Sequence, residues 1–417
     1  MMAFGGNAPP QLAVTRCLVE RGHEVRVLAH RAARERIADT GAEFVEFRRS
    51  VPEMDLSTRE ADSLRDWEAR TRFGAGMRVL ENGLLPFIVN TSRDCAELLS
   101  DGPTDVVVMD WMLSGAAVAA EGAGVPAVAL VHCPFPLPLD GVPPLYSGLR
   151  PSDGRVGGVR DRFLNGLATR VLGRGLSAAL DEARTEQRLA PLNDWGAQLL
   201  SVEAICVMTA PELDFSSRGK LPANVYYVGP AFEPYARGWS SPWPAPNRDP
   251  LIVLSFSTSY MDQQALAQRA LDAVAGLPVR ALLTAGPALD AEALRFPANA
   301  RAVTYVPHRA VFPHAALVVT HAGWQTVNAA LADGVPLVCI PDGRDQPDNA
   351  ARVLACGAGV RVRKNASPEK LRRVIVRALT DAALKQRAEQ MADALAVDGA
   401  LGVAERVEQL GLRGSQL

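Results

Sequence analysis

The sequence predicts an α/β protein built from two doubly wound parallel-sheet domains. Three observations carry that expectation. Short apolar runs closed by Gly or Pro alternate with segments of helical periodicity, the signature of repeated βαβ units. A length of 417 residues exceeds what a single hydrophobic core usually supports. The clearest unit, residues 316–351, reads strand, tight turn, helix, strand, loop and helix, so two polar loops fall at one edge of the same sheet.

The chain opens abruptly. Only MMAF precedes Gly5 and Gly6, so either the first strand is truncated or the chain begins late. Pro9 and Pro10 then start a helix over residues 11–20, closed at Gly22. A strand at 24–29, a helix at 32–40 and a strand at 43–47 follow. Residues 51–73 turn polar and irregular, with a charged helix expected around 59–71, and 77–99 carries a long amphipathic pattern. Residues 105–109 form a buried strand with Asp110 at its C-terminal end; a helix at 114–121 and a strand at 125–131 lead to His132.

Proline excludes regular structure from 132–148. The segment reads as a stiff loop carrying exposed Phe135, Leu137, Leu139, Leu145 and Tyr146, either as a wall for an apolar ligand or as ordinary packing. Helices are expected at 160–173 and 176–189, and 204–209 is expected as the last strand of the first domain. Residues 230–250 break every periodicity and form the linker. The second half holds strands at 251–255, 280–284 and 302–306, a helix at 263–274, and terminal helices at 369–379, 382–395 and 404–410.

Composition excludes several classes. A formal net charge of −2, with no basic run interleaved with aromatics, argues against a nucleic-acid partner. Six scattered cysteines without a CxxC read as reduced, buried thiols in a cytoplasmic protein. Neither a signal peptide nor an apolar run long enough to span a membrane is expected. The six histidines show no paired zinc spacing and no DxD-like acidic partner, so no metal site is expected.

The loop edge of residues 316–351 suits an anion. Gly323 lets backbone approach a phosphate, and the amides around Trp324, Gln325 and Thr326 open a helix whose positive end faces the same spot. His321 stands one step earlier, where its imidazole could donate to a phosphoryl oxygen, and Asp345 and Gln346 supply acceptors for sugar hydroxyls.

THAGWQTVNAALADGVPLVCIPDGRDQPDNAARVLACGAGV resembles the donor signature of the nucleotide-sugar-dependent glycosyltransferases of small natural products, a family with plant flavonoid and bacterial antibiotic members. RGHEV, VVVMD, GVP and YVPH extend the resemblance over nearly the whole chain. It implies the GT-B arrangement, in which the two domains face each other across a cleft. Residues 1–229 would bind acceptor and 251–384 the nucleotide sugar, with 230–250 between them and 385–417 bracing the first domain. Ser257 and His308 join the implied donor site, and Gly6, Trp111 and His132 the acceptor side.

Two departures from the family pattern stand out. The usual GHxxP reads GNAPP, so Asn7 replaces the family's base; Asp110 is then the best remaining base, with Asn7 orienting the acceptor. The glutamate that commonly holds a ribose in uridine-nucleotide users is Ala329, beside Asn328 as a partial substitute, which favours a dTDP-deoxysugar. Ala322 stands at a family glycine, a conservative change if its φ is negative.

The resemblance thus implies an inverting, metal-independent transferase moving a sugar to an aromatic or polyketide aglycone. It needs no cofactor beyond the nucleotide sugar, and the chain acts as a monomer or homodimer. The alternative is a noncatalytic sugar-nucleotide-binding partner of another transferase.

Overall fold

The computed structural model describes residues 1–2, 5–49, 58–152, 154–192, 194–234, 239–256 and 258–414. A turn at Gly5–Asn7 leads into α1 (Ala8–Glu20), and its prolines lie in the first turn, where missing amides cost no helical bond. β1 (Arg26–Ala29), α2 (Arg34–Ala38) and β2 (Glu43–Glu46) make a parallel two-stranded sheet. α3 (Arg72–Val79) and α4 (Leu85–Ser100) are separated by one π turn, Leu80–Leu84, because Pro86 has no amide to continue the α ladder.

β3 (Val107–Asp110), α5 (Ser114–Ala123), β4 (Ala127–Val131), α6 (Arg155–Glu186), α7 (Trp195–Leu200), β5 (Ala204–Val207) and β6 (Val225–Tyr227) follow. Their strands form a four-stranded parallel sheet in sequence order. Alternate residues enter opposite cores: Ala129, Val131, Ile205 and Val207 on one face, Val128, Leu130, Ala204 and Cys206 on the other.

The next sheet is built from β7 (Leu251–Ser255), α8 (Gln264–Val274), β8 (Arg280–Thr284), β9 (Ala300–Val303), α9 (His308–Val311), β10 (Ala315–Thr320), α10 (Trp324–Ala332), β11 (Leu337–Cys339), α11 (Gln346–Ala355) and β12 (Gly359–Arg361). Its order, β12-β11-β10-β7-β8-β9, reverses between β7 and β10, where Ser255 pairs with Thr320 at the C-terminal edge. Helices diverge from such a switch point and leave a crevice.

α12 (Pro368–Thr380) and α13 (Ala382–Ala394) cover this six-stranded sheet; Lys385 Nζ donates to the Gly334 carbonyl at 2.9 Å. α14 (Gly399–Gly414) returns to α1, where Val403 and Ala404 join Ala13 and Val14 in one core. Arg21 donates from Nε and Nη2 to Glu408, each at 2.7 Å.

Several expectations change. No charged helix forms over the described residues of 58–71: a short turn at Asp66–Glu68 replaces it, because Asp62 turns its carboxylate to the Leu64 amide and Trp67. Residues 50–57 lie outside the described ones. The helices expected at 160–173 and 176–189 are the single α6, since Gly173 and Gly175 sit against Trp195 and Leu85 as close-packing positions, not as stops. β6, not the strand near 204–209, is the last of its sheet, and β12 was not expected. Residues 1–2 form no strand, and residues 3–4 are not described. Phe135 and Leu137 are buried, at 3% and 7% exposure, so this loop packs its apolar side chains inward.

Candidate active site

β10 ends into His321, Ala322 and Gly323, and α10 starts at once. Ala322 has φ +70°, so the condition under which alanine would be a conservative replacement for the family glycine is not met. An L-residue there is strained. The turn is held by the Ala322 amide donating to Thr320 Oγ1 at 3.2 Å and by Asn349 Nδ2 donating to the Ala322 carbonyl at 2.9 Å. A Cβ on Gly323 would lie 2.6 Å from His321 Nε2, so this glycine admits the imidazole over the turn. α10 has no side-chain cap, and Val327 is the first amide to bond back, to Gly323. The amides ahead of it point out of the helix end, toward the crevice at the switch point.

His321 is buried, with Nδ1 3.4 Å from the Ser255 carbonyl, and burial pushes its pKa down to about 4. His308 likewise is pushed down to about 4 by burial; its Nε2 lies 3.1 Å from Ser255 Oγ, and its ring stacks on Phe312. Both rings are therefore neutral near pH 7.

The remaining donor-side expectations divide. Gln325 is half-buried, beside Gly6: a Cβ on Gly6 would lie 3.6 Å from Gln325 Cγ, so the loop before α1 meets the start of α10. Thr326 is buried in the first turn. Asp345 stays half-exposed, accepts from Asn349 Nδ2 at 2.9 Å and has its pKa raised by burial. Ser257 lies outside the described residues.

Trp324 and Gln346 are corrections. Trp324 is 4% exposed and packs in the core with Val327 and Leu331, leaving the turn without an indole wall. Gln346 Oε1 accepts the amides of Asp342 and Gly343, and its Nε2 meets Met261 Sδ, so it folds the loop and offers nothing to a sugar. Asn328 cannot stand in for a ribose-binding glutamate either. It is buried, donates to the Trp324 carbonyl and accepts from Thr209 Oγ1 at 2.6 Å. Ala329 faces the same core.

Asp110, expected to face the cleft as a base, is 1% exposed. Its Oδ1 accepts the Met112 amide at 3.0 Å; its Oδ2 accepts Gln11 Nε2 at 2.9 Å and lies 3.0 Å from His132 Nε2. A carboxylate so enclosed cannot reach an acceptor proton. It orients His132 instead. Burial disfavours the charged imidazole, but the Asp110 charge and hydrogen bond outweigh it, and Asp345 adds to them, so the His132 pKa is raised. With Nε2–H turned to Asp110, the lone pair of the neutral ring is on Nδ1. Asn7 sits at the head of α1 with Nδ2 3.7 Å from Met112 Sδ, and its carbonyl accepts from Gln11.

Next to this group lies an apolar cavity enclosing about 1000 Å³ up to and including its open mouth. Trp111, Phe135, Leu137, Leu145, Tyr146 and Trp195 line it, with Asp348 and Arg352 from α11. The acceptor-side residues named from sequence, Gly6 and His132 apart, thus share one wall. Trp111 Nε1 is buried there without a hydrogen-bond partner among the described residues.

Sequence reading missed Gln11, Asp348 and Arg352. For Gln11 the signal was a polar residue among the apolar positions of α1, one turn beyond Asn7; for the other two there was none, because they enter the cavity from the second sheet. Among the described residues no three His, Cys, Asp or Glu side chains gather as a metal site, and no helix is long and apolar enough to cross a membrane.

Residues 268–410 match the family model of the erythromycin biosynthesis protein CIII-like C-terminal domain. The chain is 30% identical over 382 residues to 4'-demethylrebeccamycin synthase of Lentzea aerocolonigenes, covering 90% of this chain and 89% of that protein. It is 28% identical over 331 residues to zeaxanthin glucosyltransferase of Pantoea ananas, covering 77% and 75%. Among solved structures, the calicheamicin glycosyltransferase CalG4 superposes with a TM-score of 0.74 at 21% identity, covering 96% of this chain and 94% of that one. The glycosyltransferase VinC in complex with dTDP superposes with a TM-score of 0.69 at 20% identity, covering 99% and 98%. These structural likenesses show the fold, two parallel-sheet units of the GT-B type.

Proposed function

The chain belongs to the natural-product glycosyltransferase family, and on that premise we propose that it is an inverting, metal-independent transferase moving a deoxysugar from a dTDP-sugar to an aromatic or polyketide aglycone. One observation carries this reading: the open amides of α10 and His321 stand at the switch point of the six-stranded sheet, while Asp345 of the next loop faces the His132–Asp110 pair and Asp348 and Arg352 of α11 line the apolar cavity. Residues 1–229 then hold the acceptor and 251–384 the donor, with the diphosphate on the α10 amides and His321.

The acceptor heteroatom attacks the anomeric carbon from the face opposite the diphosphate. The new bond forms as the bond to the phosphate oxygen breaks; the electron pair leaves with dTDP, and the acceptor proton passes to His132 Nδ1. Asp110 holds the ring and stabilises the imidazolium, and Asn7 orients the acceptor. The dTDP preference is supported by the absence of a diol-binding carboxylate at this point of α10: Ala329 faces the apolar core, and Asn328 is already bonded to Thr209.

Calorimetry comparing dTDP with UDP, followed by single-turnover transfer from a dTDP-sugar, tests the reading. Tighter binding of dTDP and formation of glycoside are expected. A strong preference for UDP would overturn the donor assignment, and nucleotide binding without transfer to any aglycone would favour a noncatalytic partner.

A further inference from the structure

Asp348, in the first turn of α11, is 2% exposed and lines the apolar cavity. Its Oδ1 accepts the Gly148 amide at 3.0 Å, and the Tyr146 amide also faces the carboxylate. Its Oδ2 is shut from solvent and has no hydrogen-bond partner among the described residues. Buried carboxylate oxygens without donors are uncommon and costly, so such an atom at the wall of a binding cavity points to a ligand donor.

The neighbouring cation does not meet this need. Arg352 directs Nε and Nη2 to Asp214, and its Nη1 reaches only the Asp348 backbone carbonyl. Burial pushes the Asp348 carboxyl up to about 6, so at neutral pH an ionised oxygen faces a wall of aromatic and aliphatic side chains. His132 does not line this wall, so the group that meets Asp348 is distinct from the one deprotonated there.

We propose that Asp348 is a specificity-determining residue for the acceptor, taking a hydrogen bond from an N–H or O–H that the aromatic ligand carries besides the group that is glycosylated. This rests on the reading of the cavity as the acceptor site. Its consequence is a reaction in which a residue of α11, beside the six-stranded sheet, selects among acceptors bound mainly by residues 76–215.

Carbazole, whose one polar group is its N–H, and N-methylcarbazole are suitable probes, titrated by quenching of tryptophan fluorescence. The wild type should bind carbazole at least about tenfold more tightly, the range expected for a hydrogen bond to a charged group. Asp348→Asn, whose one oxygen is held by the Gly148 amide and whose Nδ2 donor takes the place of Oδ2, should lose most of this preference. Asp348→Leu should lose it while binding the methylated probe at least as well; dTDP calorimetry on each variant verifies folding. Equal affinities in the wild type, binding of neither probe, or preference retained in Asp348→Leu would overturn the proposal. Transfer from a dTDP-sugar is measured separately, so failure of the transferase reading is distinguishable from failure of this one.

Discussion

Arg352 of α11 donates from Nε and Nη2 to a single oxygen of Asp214, at 3.0 and 2.8 Å, with both side chains at or below 5% exposure. The other Asp214 oxygen accepts the Phe135 amide at 3.0 Å and Tyr227 Oη at 2.9 Å. One carboxylate thus joins the proline-rich loop, the edge strand β6 and the second sheet's α11. Removing one partner of a buried pair leaves the other charge uncompensated.

Asp214→Ala should therefore cost roughly 3–5 kcal/mol in urea unfolding. Arg352→Met should cost less, because it orphans one oxygen that still meets the Ser216 amide at 3.4 Å, whereas Asp214→Ala leaves Arg352, Phe135 and Tyr227 without their acceptor. Equal costs would show that the pair, and not the wider network, dominates.

His132→Gln should lower the single-turnover rate by about a hundredfold or more with donor binding nearly intact, and Asn7→Ala should cost less. The raised His132 pKa sets the sign of the pH profile: the rate climbs as the ring deprotonates, with its limb above the ordinary histidine range of 6.5. Asp110→Asn should move that limb to lower pH, since it removes the charge that favours the imidazolium; Asp345 remains as the other acidic group facing the ring. Added imidazole should partly restore His132→Ala. Absence of both rescue and limb movement would leave His132 a merely packed side chain.

Diphosphate binding should take up a proton. In the free protein His321 is neutral, with a pKa of about 4 and Nδ1 toward the Ser255 carbonyl, so Nε2 donates to a phosphoryl oxygen only once protonated. A bound anion raises that pKa, and dTDP affinity should fall as pH rises through the bound-state value. Calorimetry in buffers of different ionisation enthalpy measures the uptake; none would mean the neutral tautomer binds.

In the unliganded protein the same group acts on stability. A folded pKa of about 4 against an ordinary 6.5 means the unfolded chain binds the proton more readily. The His321 contribution is complete above 6.5 and is lost as pH falls toward about 4. The difference in unfolding free energy between wild type and His321→Asn should shrink over that window and stay level above it.

Ala322→Gly should stabilise the fold by up to about 1 kcal/mol, relief of left-handed strain being partly offset by the entropy of the unfolded glycine. Ala322→Val should destabilise it. A loss of stability in the glycine variant would mean that the Ala322 methyl, buried in the same core as Trp324 and Val327, outweighs its φ of +70°.

Ala329→Glu, which would reinstate the ribose-binding carboxylate of uridine-nucleotide users, should instead unfold the core locally. Ala329 is 3% exposed among apolar side chains. An unpaired buried carboxylate there should cost several kcal/mol, about the scale of a broken buried ion pair. Retained stability together with a gain in UDP affinity would show that this position opens to the nucleotide.

Sequence by itself determined the alternation of strands and helices, the two-domain α/β class and the polar edge after residue 320, because each is written in local periodicity and in the torsional habits of Gly and Pro. It also located Asp110 and His132 at strand ends. Only the tertiary structure decided what those groups can do. Asp110 is enclosed because Gln11 arrives from α1 and His132 from β4. Gln346 and Trp324 are withdrawn from the site because the partners and core they meet are remote in sequence or depend on loop shape. The sign of φ at Ala322 follows from bonds to Thr320 and Asn349 in a completed turn. Burial and hydrogen-bond partners are properties of the packed sheets, and no spacing within one segment encodes them.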